Sequence, residues 1–290
     1  IPQKLYMTRP AYLGMHHAAF ELGNPSLPGY VPPQARLTST GGSEQFDERR
    51  SLVQALDRFR NCLDLDENMR GTDEFRSLAF EMLTSPEAAR AFDLADESDS
   101  LRDRYGRHLW GQGCLMARRL AEAGSAVISL YINTPMPGKE FTNWDDHVLN
   151  AGQPGHFAEY MHRRLPYLDQ ALSTLIEDIY ERSLDRKILV VVVGEFGRTP
   201  RLSSNANGTG RDHWPAAYSA LVSGGGLKTG LVIGATNSKA EYPTERPYTP
   251  QDLLATVYRH LGIDSTRKFL DFSGRPISIL ESGQPIAELL

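Results

Sequence analysis

Six consecutive branched aliphatic residues, Ile188 to Val193, run directly into Gly194. The run is too short and too rich in β-branched side chains for a helix. Its lack of alternation predicts a strand covered on both faces, as strands of parallel sheets are. Ligands of open α/β sheets gather beyond the carboxyl ends of the strands. Glu195, Arg198, Asp212 and His213 therefore fall where chemistry is usually placed. Gly194, Gly197, Asn205, Asn207, Gly208 and Gly210 predict a long loop without regular structure between them.

Upstream, residues 1–42 carry turn signals at Pro10, Gly14, Pro25, Pro28, Pro32 and Pro33 and read as an extended wrapping segment. The absence of an initial Met and of periodicity there suggests the interior of a longer, N-terminally incomplete protein. Residues 43–124 read as a helical section: one helix from Ser43 to about Leu63, one from Asp73 to Leu83, one after Ser85 and Pro86, and one from about Ser100 to Ala123. An α/β core over 125–290 follows.

Within that core, Ala126 to Ile132 is expected to be a strand inside the sheet. Past its end lies the segment Asn143-Trp144-Asp145-Asp146-His147. A helical stretch from His156 to Ser183, with an interruption expected at Pro166, presents Leu165, Leu168, Leu172, Leu175, Ile176 and Ile179 on one stripe. Joined to the Ile188 strand, it predicts a right-handed crossover. Ala217 to Ser223 and Leu231 to Ile233 read as further strands. The string GGGLKTG lacks Walker spacing and reads as a turn. Thr249-Pro250-Gln251-Asp252 opens a helix that ends at Leu261 and Gly262.

The 290 residues are enough for one large domain or two small ones. A formal charge of −5, from 31 basic and 36 acidic side chains, argues against a nucleic-acid surface. No apolar run approaches the roughly 20 residues that cross a bilayer. Cys62 and Cys114 show no CxxC spacing or Cys/His cluster, so a thiolate zinc site is not expected. No Gly-x-Ser-x-Gly elbow is present, which sets a serine hydrolase aside.

Asp145, His147, Glu195, Asp212 and His213 together form an oxygen and imidazole set suited to borderline or hard divalent ions: zinc, manganese, calcium or magnesium. Each has a plainer reading. Asp145 serves as well for a helix cap, Glu195 and Arg198 for an ion pair, and Asp212 with His213 for hydrogen bonds inside the loop.

The strings RYGRHLWGQGCLMARRLAEAG, NWDDH, GEFGRTP, GRDHWP, SGGGLKTG with VIGATN, and TPQDLLATVYRHLGID, in this order over nearly the whole chain, resemble the DUF1501 family, abundant in planctomycete bacteria. That family looks related to the alkaline phosphatase and sulfatase superfamily. The resemblance implies an α/β fold with an alkaline-phosphatase-like, mostly parallel central sheet flanked by helices. It implies that Asp145 and His147 stand for a metal-binding Asp and His pair. Glu195 takes the place where many members have Asp-His; Phe196 follows it, so His213 would supply the missing imidazole. Tyr248, Thr249, Pro250 and Gln251 stand where relatives carry histidines, which puts a second metal site in doubt. The superfamily's nucleophile lies N-terminal to every matched block and is absent from this chain.

Two functions follow as expectations. One is a metal-dependent hydrolase-like protein acting on a small anionic phosphate or sulfate ester, with Arg198 or Arg211 holding the anionic oxygens. The other is a non-catalytic binding or scaffold protein, with a protein partner, that keeps the fold. The resemblance tilts localisation towards the periplasm or export.

Overall fold

The computed structural model describes residues 19–30, 90–133, 144, 155–206, 208–271 and 273–290. The chain divides into two compact units, Ile1–Tyr131 and Ile132–Leu290. The helices expected over 43–83 lie outside the described residues.

In the first unit, Ser98 caps α1 (Asp99–Tyr105) by accepting the Leu101 N–H at 3.2 Å. Gly106, at φ +93°, turns the chain out of α1 in a backbone conformation that L side chains rarely adopt. The His108 Nδ1 then accepts the Gly111 N–H and starts α2 (Leu109–Glu122). The single helix expected from Ser100 to Ala123 is thus two helices broken at a glycine. Tyr105, Trp110, Leu115 and Met116 form the core, each no more than 2% exposed. Arg118, equally buried, meets Glu97 at 2.6 Å, and Arg119 pairs with the same carboxylate. Burial works to raise the Glu97 pKa, and hydrogen bonds from Arg118 and Arg119 outweigh it, so the group sits below the usual range. Residues 126–132, expected as an interior strand, form no strand, and Val127 is 72% exposed.

The second unit is built on β1 (Gly155–His156), the long α3 (Phe157–Glu181) and a series of short strands. α3 runs unbroken through Pro166. Its buried stripe is Arg164, Ala171, Thr174, Leu175, Asp178 and Ile179, whereas Leu165 is 45% exposed.

Among the described residues the expected central, mostly parallel, alkaline-phosphatase-like sheet is not found. There β2 (Leu189–Val192) pairs with β7 (Leu221–Gly224) alone, antiparallel, in register Val190↔Ser223 and Val191↔Val222. The chain between them returns directly, without the crossover helix a parallel partner requires, so the pairing must be antiparallel. With one neighbouring strand, β2 is half-buried throughout. The other sheets are equally small. β3 (Gly197–Arg198) pairs with β6 (His213–Trp214), β4 (Ser203–Asn205) with β5 (Gly208–Gly210), β8 (Ala235–Thr236) with β9 (Pro243–Glu245), and β10 (Lys268–Leu270) with β11 (Pro276–Ser278). All of these are antiparallel; β1 with β5 is the one parallel contact among the described residues. The architecture is mixed α and β with small antiparallel hairpins.

In the GGGLKTG turn, amides are spent internally. Gly225 donates to the Ile188 carbonyl, Gly226 to Asp185, Leu227 to Gly224 and Lys228 to Leu289. α4 (Pro250–His260) starts with a full capping box between Thr249 and Asp252. The C-terminal tail packs on it: Gln284 N–H donates to Asp252 and Ile286 N–H to Thr256 Oγ1. Among the described residues no helix is long and apolar enough to cross a membrane.

Candidate functional site

The loop that follows β2 is two nested hairpins, more regular than its glycines and asparagines suggest. The outer pair sets Gly197 opposite Trp214 and Arg198 opposite His213. Between the two hairpins, Thr199 N–H donates to the Asp212 carbonyl at 2.9 Å and Asp212 N–H to Thr199 Oγ1 at 3.0 Å. Gly197 is required by close approach: a Cβ there would lie 2.0 Å from the Ala217 carbonyl oxygen. The inner pair joins Ser203 to Gly210 and Asn205 to Gly208.

Both candidate arginines knit this loop together. Arg211 donates from Nη1 to the Thr199 and Pro200 carbonyls. Arg198 donates from Nη1 to the Arg211 carbonyl at 3.2 Å and from Nη2 to the Trp144 carbonyl at 2.6 Å. This last bond spans 54 positions and ties Trp144 to the loop. Trp144 is held further by its indole N–H, which donates to the Ile132 carbonyl, and by Arg164, whose guanidinium carbon stands 4.7 Å from the ring centroid.

Asp212 immediately precedes β6 and His213 opens it, and their side chains make separate contacts. Asp212 Oδ2 accepts the Ser203 hydroxyl at 2.7 Å, whereas the His213 ring lies against Phe196, with centroids 4.2 Å apart. His213 and Arg198, directly opposite in register, share a face; Asp212 turns to the inner hairpin. Glu195 is exposed and makes no hydrogen bond or ion pair with the described residues. Trp214 anchors the strand's end, its indole N–H donating to the Glu241 carbonyl at 2.7 Å and its ring tilted against Tyr242.

Of the residues singled out from the sequence, Arg198, Arg211, Asp212 and His213 come together in one hairpin pair, and Glu195 stands two residues before it. Asp145 and His147 lie outside the described residues; Asp145 follows Trp144 in the chain. Among the described residues no group of three or more His, Cys, Asp or Glu side chains is placed to hold a metal ion. The sequence reading passed over Trp144, Ser203 and Arg164 as structural members of this region. No signal in the sequence marks Arg164, because the apolar stripe of its helix points to Leu165 as the buried neighbour.

No curated protein and no solved structure matches this chain. The family model described as a protein of unknown function, DUF1501, matches residues 3–290. With the match running over nearly its entire length, the chain belongs to the DUF1501 family.

Proposed function

We propose that this chain binds a divalent metal ion and acts as a hydrolase-like protein on phosphate or sulfate esters, related to the alkaline phosphatase and sulfatase superfamily through its residues and not through a central sheet. The observation that supports the reading is the Arg198 bond to the Trp144 carbonyl, which ties the residue preceding Asp145 in the chain to a loop carrying Glu195 and His213. Carboxylate oxygens and imidazole nitrogens from two distant segments are the donor types that zinc, manganese, calcium or magnesium takes.

The donor chemistry fits such an ion, with one revision. His213, Glu195, Asp145 and His147 would hold it. Asp212, hydrogen-bonded to Ser203, holds the inner hairpin in place. A bound divalent ion supplies polarisation of an ester oxygen and a lowered pKa for a nucleophile. Arg198 and Arg211 direct guanidinium N–H groups to backbone carbonyls and so brace the loop that carries His213.

That commitment of both guanidinium groups to the chain's own backbone favours a second reading, a non-catalytic binding or scaffold protein. Elemental analysis of the dialysed wild type beside His213→Ala and Asp212→Ala tests the metal site. Near-stoichiometric metal in the wild type and Asp212→Ala, lost in His213→Ala, is the expected result; no metal in the wild type overturns it. Hydrolysis of p-nitrophenyl phosphate or sulfate that requires the metal separates the enzyme from the binding protein.

A further inference from the structure

The hairpin of β10 and β11 carries apolar side chains on both faces and exposes them on both. In an antiparallel ladder, directly opposite residues share a face and successive residues alternate between faces. Phe269 and Ile277 stand opposite one another on one face, 53% and 46% exposed; Leu270, 73% exposed, stands with the exposed Pro276 on the other. A small antiparallel sheet in water commonly turns one apolar face to a core and a polar face outwards. This one opens apolar groups on both sides. Its shape is fixed all the same. The Asp271 carboxylate closes the turn by accepting the Ser273 and Arg275 N–H groups, each at 2.8 Å, and the Asp271 N–H donates to the Arg275 carbonyl at 2.9 Å.

Charge narrows what can cover such a hairpin. Arg275 pairs with Asp271 at 2.8 Å, so the acid of the turn is neutralised within it, its side chain only 16% exposed. Arg267 and Lys268 remain in excess, both exposed, and the Arg267 guanidinium lies 5.8 Å from the Phe269 ring centroid. This basic and apolar patch sits on a chain whose formal charge is −5. Apolar groups on both faces suit a medium that surrounds the hairpin, as acyl chains do and a single protein surface does not. Cations beside them suit anionic headgroups. We infer that the β10–β11 hairpin is a peripheral anchor that enters the surface of an anionic lipid bilayer, with Phe269, Leu270 and Ile277 among the upper acyl chains and Arg267 and Lys268 at the headgroups. The anchor spans nothing, and it does not depend on the function proposed above.

Co-sedimentation of the full chain with vesicles tests the anchor. One set is phosphatidylcholine alone, the other phosphatidylcholine with about a quarter phosphatidylglycerol, each at about 50 mM and about 300 mM salt. The wild type is expected to partition onto the anionic vesicles at low salt at least tenfold more strongly than onto the neutral ones. The pair Phe269→Ser and Leu270→Ser, made together, is expected to lower that partition at least tenfold. Arg267→Ser with Lys268→Ser is expected to lower it by a similar factor at low salt and to make little difference at high salt. A wild type that does not sediment with anionic vesicles overturns the anchor, as does unchanged partition in the apolar pair. Should that pair fail to fold, the charge pair carries the test by itself, and its unchanged partition at low salt overturns the anchor equally. Light scattering that shows a dimer of the wild type, lost in the apolar pair, assigns the hairpin to a second copy of the chain and overturns the lipid assignment.

Discussion

Replacing Asp252 with alanine tests how the C-terminal tail is held. The Asp252 carboxylate accepts the Thr249 N–H and hydroxyl, each at 2.7 Å, and the Gln284 N–H at 2.8 Å. The first two are half of the capping box of α4, and losing a helix cap costs about 1 kcal/mol. The third bond begins the tail that places Ile286 and Leu289, each 8% exposed, against the second unit. A charge-assisted bond is worth about 1.5–3 kcal/mol when shielded, and solvent around this site reduces it to roughly 1. The sum is about 2 kcal/mol, or a melting temperature lower by about 4–8 °C for a cooperative unit of this size. The loss depends on pH. The Gln284 N–H, then the Thr249 N–H, hold the carboxyl below its ordinary value. A depressed carboxyl stabilises the fold above the unfolded-state pKa, about 3.9, and loses that contribution as pH falls through the folded value. The gap between wild type and Asp252→Ala, followed by circular dichroism melting, is therefore full at pH 7 and shrinks below about pH 4. A difference under about 1 °C at pH 7, or an equal gap at pH 7 and pH 3, would refute the reasoning.

Gly197→Ala sets a methyl against the Ala217 carbonyl, a backbone atom with little room to give. The expected cost is about 3 kcal/mol in urea unfolding, with zinc affinity lost along with the Arg198–His213 register; a cost below about 0.5 kcal/mol contradicts the tight packing. Burial pushes the Cys114 thiol up to about 12. Iodoacetamide at pH 8 should leave the Cys114 peptide unlabelled in the native protein and label it in denaturant; rapid native labelling would show the thiol to be accessible.

Elements set by local chemistry were legible in the sequence. Thr249-Pro250-Gln251-Asp252 specifies a helix start through bonds among its own four residues, and the observed helix begins there. GGGLKTG is the turn its spacing indicates, with its amides spent inside the fold. The Ile188–Val193 run yields the strand Leu189–Val192, but its partner is antiparallel and not the parallel one expected, because composition says how apolar a strand is and not which strand reaches it. The antiparallel return of Leu221–Gly224 follows from the path of the intervening hairpins, which no single window of sequence contains.

For the candidate site, the sequence by itself determined the donor types and their place after an apolar strand, since residue identity alone sets protonation chemistry and ligand hardness. Only tertiary structure decided which of them face one another. Asp212 bonds to Ser203 while His213 lies against Phe196, and the Arg198 guanidinium reaches across 54 positions to the Trp144 carbonyl. Burial of Arg164 in place of Leu165 is decided the same way. A helix can turn a charge inwards when an aromatic face from a distant segment waits there, and that pairing exists only in the folded chain.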